Sequence, residues 1–259
     1  MMKRKNSLGF SLVEMAVVLM ILGILLNGLL VATGQSTANT RRIDARNQLR
    51  QFQEALYGFA QTFGRLPCPA IHTSDGKEED PGGVGDCFVS HGFLPNSTLN
   101  LSGRTNADGL LLDPWGNPYR YSFASVDENN TTDRAFTSTT GLAQLFNDSG
   151  TDLVYSAGML RICGEDVPAT AIADCTDGNA NVLSDLVPAV ILTMGDNWAT
   201  FTSSEEVANA SGGTLGTYSV SNTNDFVNTE YSEENFDDMM IWLSPHILFS
   251  KMISAGKLP

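Results

Sequence analysis

Between Phe10 and Val31 the chain is apolar except at Ser11, Glu14, Gly23, Asn27 and Gly28, and Lys3, Arg4 and Lys5 stand just before it. As a helix rising about 1.5 Å per residue, such a run is roughly 33 Å long, enough to cross a hydrocarbon core of about 30 Å. No basic residue follows until Arg41, so the charge bias keeps the N-terminus in the cytoplasm and exports what comes after. The apolar core of a secretory signal peptide is shorter, about 7–15 residues, and ends at a small-residue cleavage site. The run therefore predicts a membrane helix with an extracytoplasmic head.

Glu14 separates a plain anchor from something more specific. A carboxylate inside a membrane segment costs up to about 2.5–3.5 kcal/mol near the bilayer centre, and a plain anchor gains nothing from it. Glu14 lies four residues after Phe10, and Gly9-Phe10 follows the basic cluster. Cleavage after Gly9 gives Phe10 a free α-amino group, with which the Glu14 of a neighbouring subunit can pair, offsetting its burial.

Gly9-Phe10-Ser11-Leu12-Val13-Glu14, followed by Met15-Ala16-Val17-Val18-Leu19-Met20, resembles the cleavage and methylation motif of type IV prepilins and type II secretion pseudopilins. The likeness covers residues 1 to about 34. It implies cleavage between Gly9 and Phe10 by a prepilin peptidase, N-methylation of Phe10, and a role for Glu14 in registering the subunit with other pilin or pseudopilin subunits. It also implies recruitment by an inner membrane assembly machinery. Many pilins carry a proline near the end of the apolar helix. Here Val31 and Gly34 occupy that region, which favours a minor subunit. The alternative is a membrane-anchored binding protein that does not polymerise.

After the polar stretch Gln35–Thr40, Leu49, Phe52, Leu56, Phe59 and Phe63 recur at spacings of three or four, and Arg42, Arg46 and Arg50 lie one turn apart. This predicts an amphipathic continuation of the helix, ending near Gly64 because Pro67 and Pro69 stop it. Gly34 is either a flexible point or a small packing residue. Candidate strands are Tyr119–Ser125, Leu153–Met159, Val187–Met194 and Asp238–Leu243, with Pro188 at the start of a buried central strand. The polar stretch Ser203–Asn235 is expected to be a loop insertion, and Ile247–Ile253 a short helix or strand. The expected fold is α+β and pilin-like: leader 1–9, transmembrane helix 10–34, amphipathic continuation 35–64, and head 65–259. In that head the helix packs on an antiparallel sheet with long loops.

Asp113-Pro114-Trp115-Gly116-Asn117-Pro118-Tyr119 reads physically as a turn whose aromatics pack on the core. It also resembles a segment of major type II pseudopilin heads. Phe236-Asp237-Asp238-Met239-Met240-Ile241-Trp242-Leu243 is similar to the acidic-then-apolar closing strand of pilin-like heads.

From Arg65 onward 8 Lys/Arg stand against 26 Asp/Glu, a charge of 8 − 26 = −18, which argues against a nucleic-acid partner. Cys68, Cys87, Cys163 and Cys175 form two sequence-local pairs, read as two disulfides of an oxidising compartment such as the periplasm. Cys68 with His72 and Cys87 with His91 also have a C-x3-H spacing, so a zinc site competes with the first disulfide. Acidic clusters at Glu78-Glu79-Asp80, at Asp174 with Asp177, and at Asp237-Asp238 suit calcium, against the reading of a solvated acidic surface. The resemblance to calcium-binding pseudopilin heads strengthens the case for the ion, but no EF-hand spacing is present, so a solvated acidic surface without a cofactor is expected and no metal ligands are assigned. No nucleophile elbow, P-loop, C-x-x-C or H-E-x-x-H motif is present, so an enzyme is not expected.

Overall fold

The computed structural model describes residues 11–80, 87, 89–125, 135–138, 140–142, 159–164, 175, 181–198, 203–210, 224–232 and 235–258, without the side chains of 25–36, 204 and 208. The chain divides into two compact units, Met1–Asp44 and Ala45–Pro259. One helix, α1 (Leu12–Phe63, 52 residues), contributes to both, and it passes through Gly34 and the polar stretch 35–40 as helix. The described residues of the first unit, after Ser11, are the N-terminal part of this helix. Its described apolar side chains are exposed all round: Leu12 is 88% exposed, Leu19 65% and Ile24 65%. Among the described residues no helix is long and apolar enough to cross a membrane. The expected span 10–34 lies partly outside them.

In the second unit the α1 periodicity does what the sequence predicts. Ala45, Leu49, Phe52, Leu56 and Ala60 are buried along one face. Phe52 meets Tyr119 edge-on at 4.8 Å between ring centroids. Phe63 departs from the expected stripe: it is 54% exposed and rests on Phe59 at 4.4 Å. The helix stops where expected. Gly64 takes φ +76° and its N–H bonds the Ala60 carbonyl at 2.8 Å, a left-handed end that suits glycine. Pro67 and Pro69 follow.

The helix covers a four-stranded antiparallel sheet in the order β1-β2-β5-β7. Its strands are β1 (His91–Phe93), β2 (Arg120–Phe123), β5 (Ala189–Thr193) and β7 (Met239–Trp242). All five residues of β5 are buried, which is why its sequence is continuously apolar up to Thr193. Gln53 on α1 donates to the Trp242 carbonyl at 2.7 Å, and Ser244 N–H donates to the Tyr57 hydroxyl at 3.0 Å.

A second sheet, in the order β4-β3-β6, corrects the expectation of a single antiparallel one. Its strands are β3 (Leu160–Cys163), β4 (Val182–Val187) and β6 (Asp225–Val227), and β3 runs parallel to β6. The expected strand Val187–Met194 is therefore divided at Pro188. Val187 pairs with Leu160 in the second sheet, whereas Ala189 pairs with Phe123 in the first. Proline has no N–H to give either ladder, and its carbonyl takes the Ala124 N–H at 2.8 Å. The stretch Ser203–Asn235 is also more structured than a loop: it holds α2 (Ser204–Asn209) and β6. The expected strand Leu153–Met159 lies, except for Met159, outside the described residues; β3 starts just after it. The C-terminal segment is a helix, α3 (Pro245–Ser254), with Leu248, Phe249 and Met252 buried.

Candidate functional site

Of the expected processing and assembly residues, Gly9 and Phe10 lie outside the described residues. Glu14 stands in the first turn of α1, exposed to solvent. The Ser11 carbonyl accepts from the N–H groups of Glu14 and Met15 at 3.0 and 3.2 Å. The Glu14 carboxylate reaches back to the Ser11 N–H at 3.4 Å. Ser11-Leu12-Val13-Glu14 thus has the spacing of a capping box, with Glu14 satisfying a donor that the helix start leaves orphaned. The positive end of the helix dipole favours an anion at the same place. Glu14 combines a local structural role with an exposed charge in an apolar surface.

In the head, the turn Asp113–Tyr119 is built round one carboxylate. Asp113 Oδ1 accepts the N–H groups of Trp115, Gly116 and Asn117 at 2.8–2.9 Å, and Oδ2 accepts the Thr193 hydroxyl. Burial raises the Asp113 pKa, and these four donors pull it back. Asn117 Nδ2 then donates to the Gly195 carbonyl at 2.5 Å, so the turn is fastened to the end of β5. Trp115 packs half-buried against the core, and Tyr119 is buried with its hydroxyl donating to Gln48 Oε1 on α1.

Asp237 and Asp238, expected as surface carboxylates or cation ligands, are both buried. Asp237 Oδ2 accepts the N–H groups of Asp196 and Asn197 at 2.6 and 3.3 Å. Glu206 from α2 accepts the Asp237 N–H at 3.1 Å and the Asn197 amide at 2.8 Å. Asn209 donates to Asp238 at 2.9 Å. Burial, opposed by the Asp196 and Asn197 donors and reinforced by Glu206, pushes Asp237 up to about 6. Burial foremost lifts Asp238 well above the usual carboxylate range. The Oδ1 atoms of both residues are buried without a hydrogen-bond partner, which a neutral carboxyl tolerates better than an ionised one.

The two cysteine pairs are disulfides, Cys68–Cys87 and Cys163–Cys175. This removes both sulfurs of the alternative zinc site. His91 is buried on β1 with Nδ1 at 2.9 Å from the Ser122 hydroxyl, while His72 is exposed. Cys68 Sγ, Glu78 and Asp80 come within 4.8 Å of one another, but that sulfur is bonded to Cys87. Arg65 holds the two carboxylates, Glu78 through two bonds of 2.8 and 3.0 Å and Asp80 at 3.6 Å. This acidic cluster is therefore an ion-pair network that also takes the Cys68 N–H at 3.0 Å. The second disulfide is fastened in the same way: Asp225 accepts two bonds from Arg161 and the Cys175 N–H. Asp174 and Asp177 lie outside the described residues.

A cleft of about 460 Å³ opens where α1 passes the 228–231 segment and β7. Arg46, Leu49 and Arg50 of α1 line it, together with Tyr231 and Met240. The one-turn spacing of the arginines was visible in the sequence, but their shared cleft was not. It depends on β7 arriving from nearly two hundred residues further along the chain. Glu206 and Asn209 were missed for a similar reason, since only the tertiary fold carries α2 to Asp237 and Asp238.

Comparison with curated proteins returned no match, and neither did comparison with solved structures. Residues 4–30 match the family described as the prokaryotic N-terminal methylation motif, the segment that surrounds the Ser11–Glu14 helix start. Over this N-terminal segment the match supports the likeness to type IV pilins and pseudopilins.

Proposed function

We propose that the protein is a structural subunit, of the minor kind, in a type IV pilus or a type II secretion pseudopilus. In this reading a prepilin peptidase cuts between Gly9 and Phe10, Phe10 is methylated, and residues 10–34 hold the subunit in the inner membrane with the head in the periplasm. The apolar helices then bundle, each Glu14 meeting the free amine of a neighbour. The observation that carries this reading is the methylation motif at 4–30, coupled to a helix whose first turn presents Glu14 within an otherwise apolar, exposed surface. A helix that is apolar all round needs lipid or other helices to cover it. Two disulfides in the head fit an oxidising compartment.

The test is the mass and N-terminal sequence of the mature protein isolated from membranes. A chain beginning at methylated Phe10 supports the proposal. A chain that keeps Lys3–Lys5 makes residues 10–34 a plain anchor, and one beginning well past Leu30 makes the protein a secreted one.

A further inference from the structure

β7 is an outer strand of its sheet, and the register with β5 decides which of its backbone groups face outward. Leu243 N–H bonds the Ala189 carbonyl at 2.9 Å, and the pairing continues Val190 to Trp242, Ile191 to Ile241 and Leu192 to Met240. In an antiparallel ladder alternate residues turn their N–H and C=O to the partner. Met239, Ile241 and Leu243 therefore face β5, and Met240 and Trp242 face away. The Trp242 carbonyl is taken by Gln53. Among the described residues no hydrogen bond reaches the N–H or C=O of Met240, so this edge stands ready to pair with another strand.

The cleft beside that edge has a charge unlike the rest of the head. Arg46 and Arg50 are exposed, and neither has an ion pair among the described residues. The region from Arg65 onward carries −18. Over a Debye length of about 8 Å the local pair of guanidinium groups outweighs this distant charge. Asp238, which also lines the cleft, is buried, and its carboxylate is turned to the Asn209 amide at 2.9 Å. Glu230 also lines the cleft, but it is exposed, where solvent screens its charge. Leu49 and the thioethers of Met239 and Met240 add an apolar, deformable surface to the lining.

We infer that this cleft binds an extended, acidic segment of another polypeptide, which adds to β7 as a strand and lays alternate carboxylates against Arg46 and Arg50. Backbone pairing at Met240 supplies affinity, and the arginines, one helical turn apart, select acidic side chains two residues apart. The inference rests on residues of the second unit alone and is independent of how the N-terminal helix assembles.

The test uses the full chain in detergent micelles and fluorescent, N-acetylated octapeptides. One alternates valine and glutamate, one alternates valine and lysine, and one repeats the acidic sequence with alternate backbone nitrogens methylated. Saturable binding of the acidic peptide, weakened about tenfold or more by R46E/R50E and by backbone methylation, is the expected result. Circular dichroism of the variant checks that it remains folded, and the milder R46Q/R50Q gives an intermediate loss. Equal binding of the acidic and basic peptides overturns the inference, as does failure of the acidic peptide to saturate. Insensitivity to backbone methylation reduces the cleft to a simple anion site. Tighter binding of a thymidine octanucleotide than of the acidic peptide would assign the cleft to nucleic acid instead.

Discussion

The Asp113 carboxylate accepts a hydrogen bond from the Thr193 hydroxyl across 80 residues of sequence. Both side chains are buried, and the bond ties the Asp113–Tyr119 turn to the last residue of the central strand. Thr193→Val keeps the shape and removes the donor. Asp113 Oδ2 then loses its buried partner while Oδ1 keeps its three backbone donors. The expected loss is about 1.5–3 kcal/mol, the range for a hydrogen bond to a charged group. Urea unfolding of the full chain in detergent, followed by near-ultraviolet circular dichroism from the head aromatics, measures it. A loss below about 0.5 kcal/mol would mean that the three backbone donors alone hold Asp113.

Asp237 predicts a pH dependence of definite sign. Burial pushes its pKa up to about 6 in the folded protein, above the ordinary carboxylate value of the unfolded chain. Between those two values the folded state binds more protons than the unfolded one, so stability falls as pH rises. The stabilisation from protonated Asp237 is complete below about pH 4 and gone once pH passes about 6. Asp238, raised in the same direction by burial, contributes a fall of the same sign. Asp237→Asn cannot ionise and is expected to flatten the Tm profile between pH 4 and 6 and to raise Tm at neutral pH. A variant whose profile parallels that of the wild type would assign the slope to other carboxylates.

Gly195 shows why this network tolerates little change. Its φ is +65°, and a Cβ there would run into the Asp237 carboxylate. Gly195→Ala combines left-handed strain of about 1–2 kcal/mol with displacement of Asp237 from the Asp196 and Asn197 amides. A lowered Tm and a shifted pH profile should appear together. A lowered Tm with an unchanged profile would mean that only the backbone is strained.

The parts of the fold legible in the sequence are those with local causes. Helix α1 follows from its periodicity and ends at Gly64 ahead of two prolines. Strand β5 follows from an unbroken apolar run, and the Asp113–Tyr119 turn from its proline, glycine and acidic residues. The illegible parts are short elements held by distant partners. In α2, six residues long, Asn209 both donates to the Val227 carbonyl and accepts the Val227 N–H at 2.8 Å, so α2 and the three-residue β6 hold each other. Strand β3 pairs in parallel with β6, and Arg161 binds Asp225 across 64 residues. No local pattern announces such pairs. Polar composition in Ser203–Asn235 reads as loop because Glu206, Asn209 and Asp225 are buried by partners that the sequence does not bring near. Glu14 was legible from its place in the motif. Its capping bond to Ser11 follows from a spacing of three.

The Cys68–Cys87 bridge closes a sequence separation of 19 and packs beside the Arg65–Glu78 ion pair, with Glu78 accepting the Cys68 N–H. Chain entropy predicts that a loop of this size contributes about 3 kcal/mol. The double variant Cys68→Ser/Cys87→Ser should lose that amount in urea unfolding. Because Arg65 and Glu78 tie the same segment independently, the double variant retains a cooperative unfolding transition. Loss of cooperativity would make the bridge a condition of folding.

Glu14 has two roles that a single substitution confounds and a pair of substitutions separates. Its carboxylate caps the Ser11 N–H, and its charge sits in an apolar surface where the proposed assembly pairs it with a neighbour's amine. Glu14→Gln keeps the length and a carbonyl oxygen for the cap but removes the charge; Glu14→Ala removes both. Both variants should insert in the membrane, because deleting the charge lowers the cost of insertion. If charge pairing drives assembly, both should fail equally to enter filaments, measured by cross-linking between subunits and by the protein recovered in sheared filament fractions. If capping of the helix start is what matters, Glu14→Gln should assemble like the wild type and only Glu14→Ala should fail. Wild-type assembly of both variants would remove Glu14 from the assembly mechanism and leave the apolar surface of the helix as its driving force.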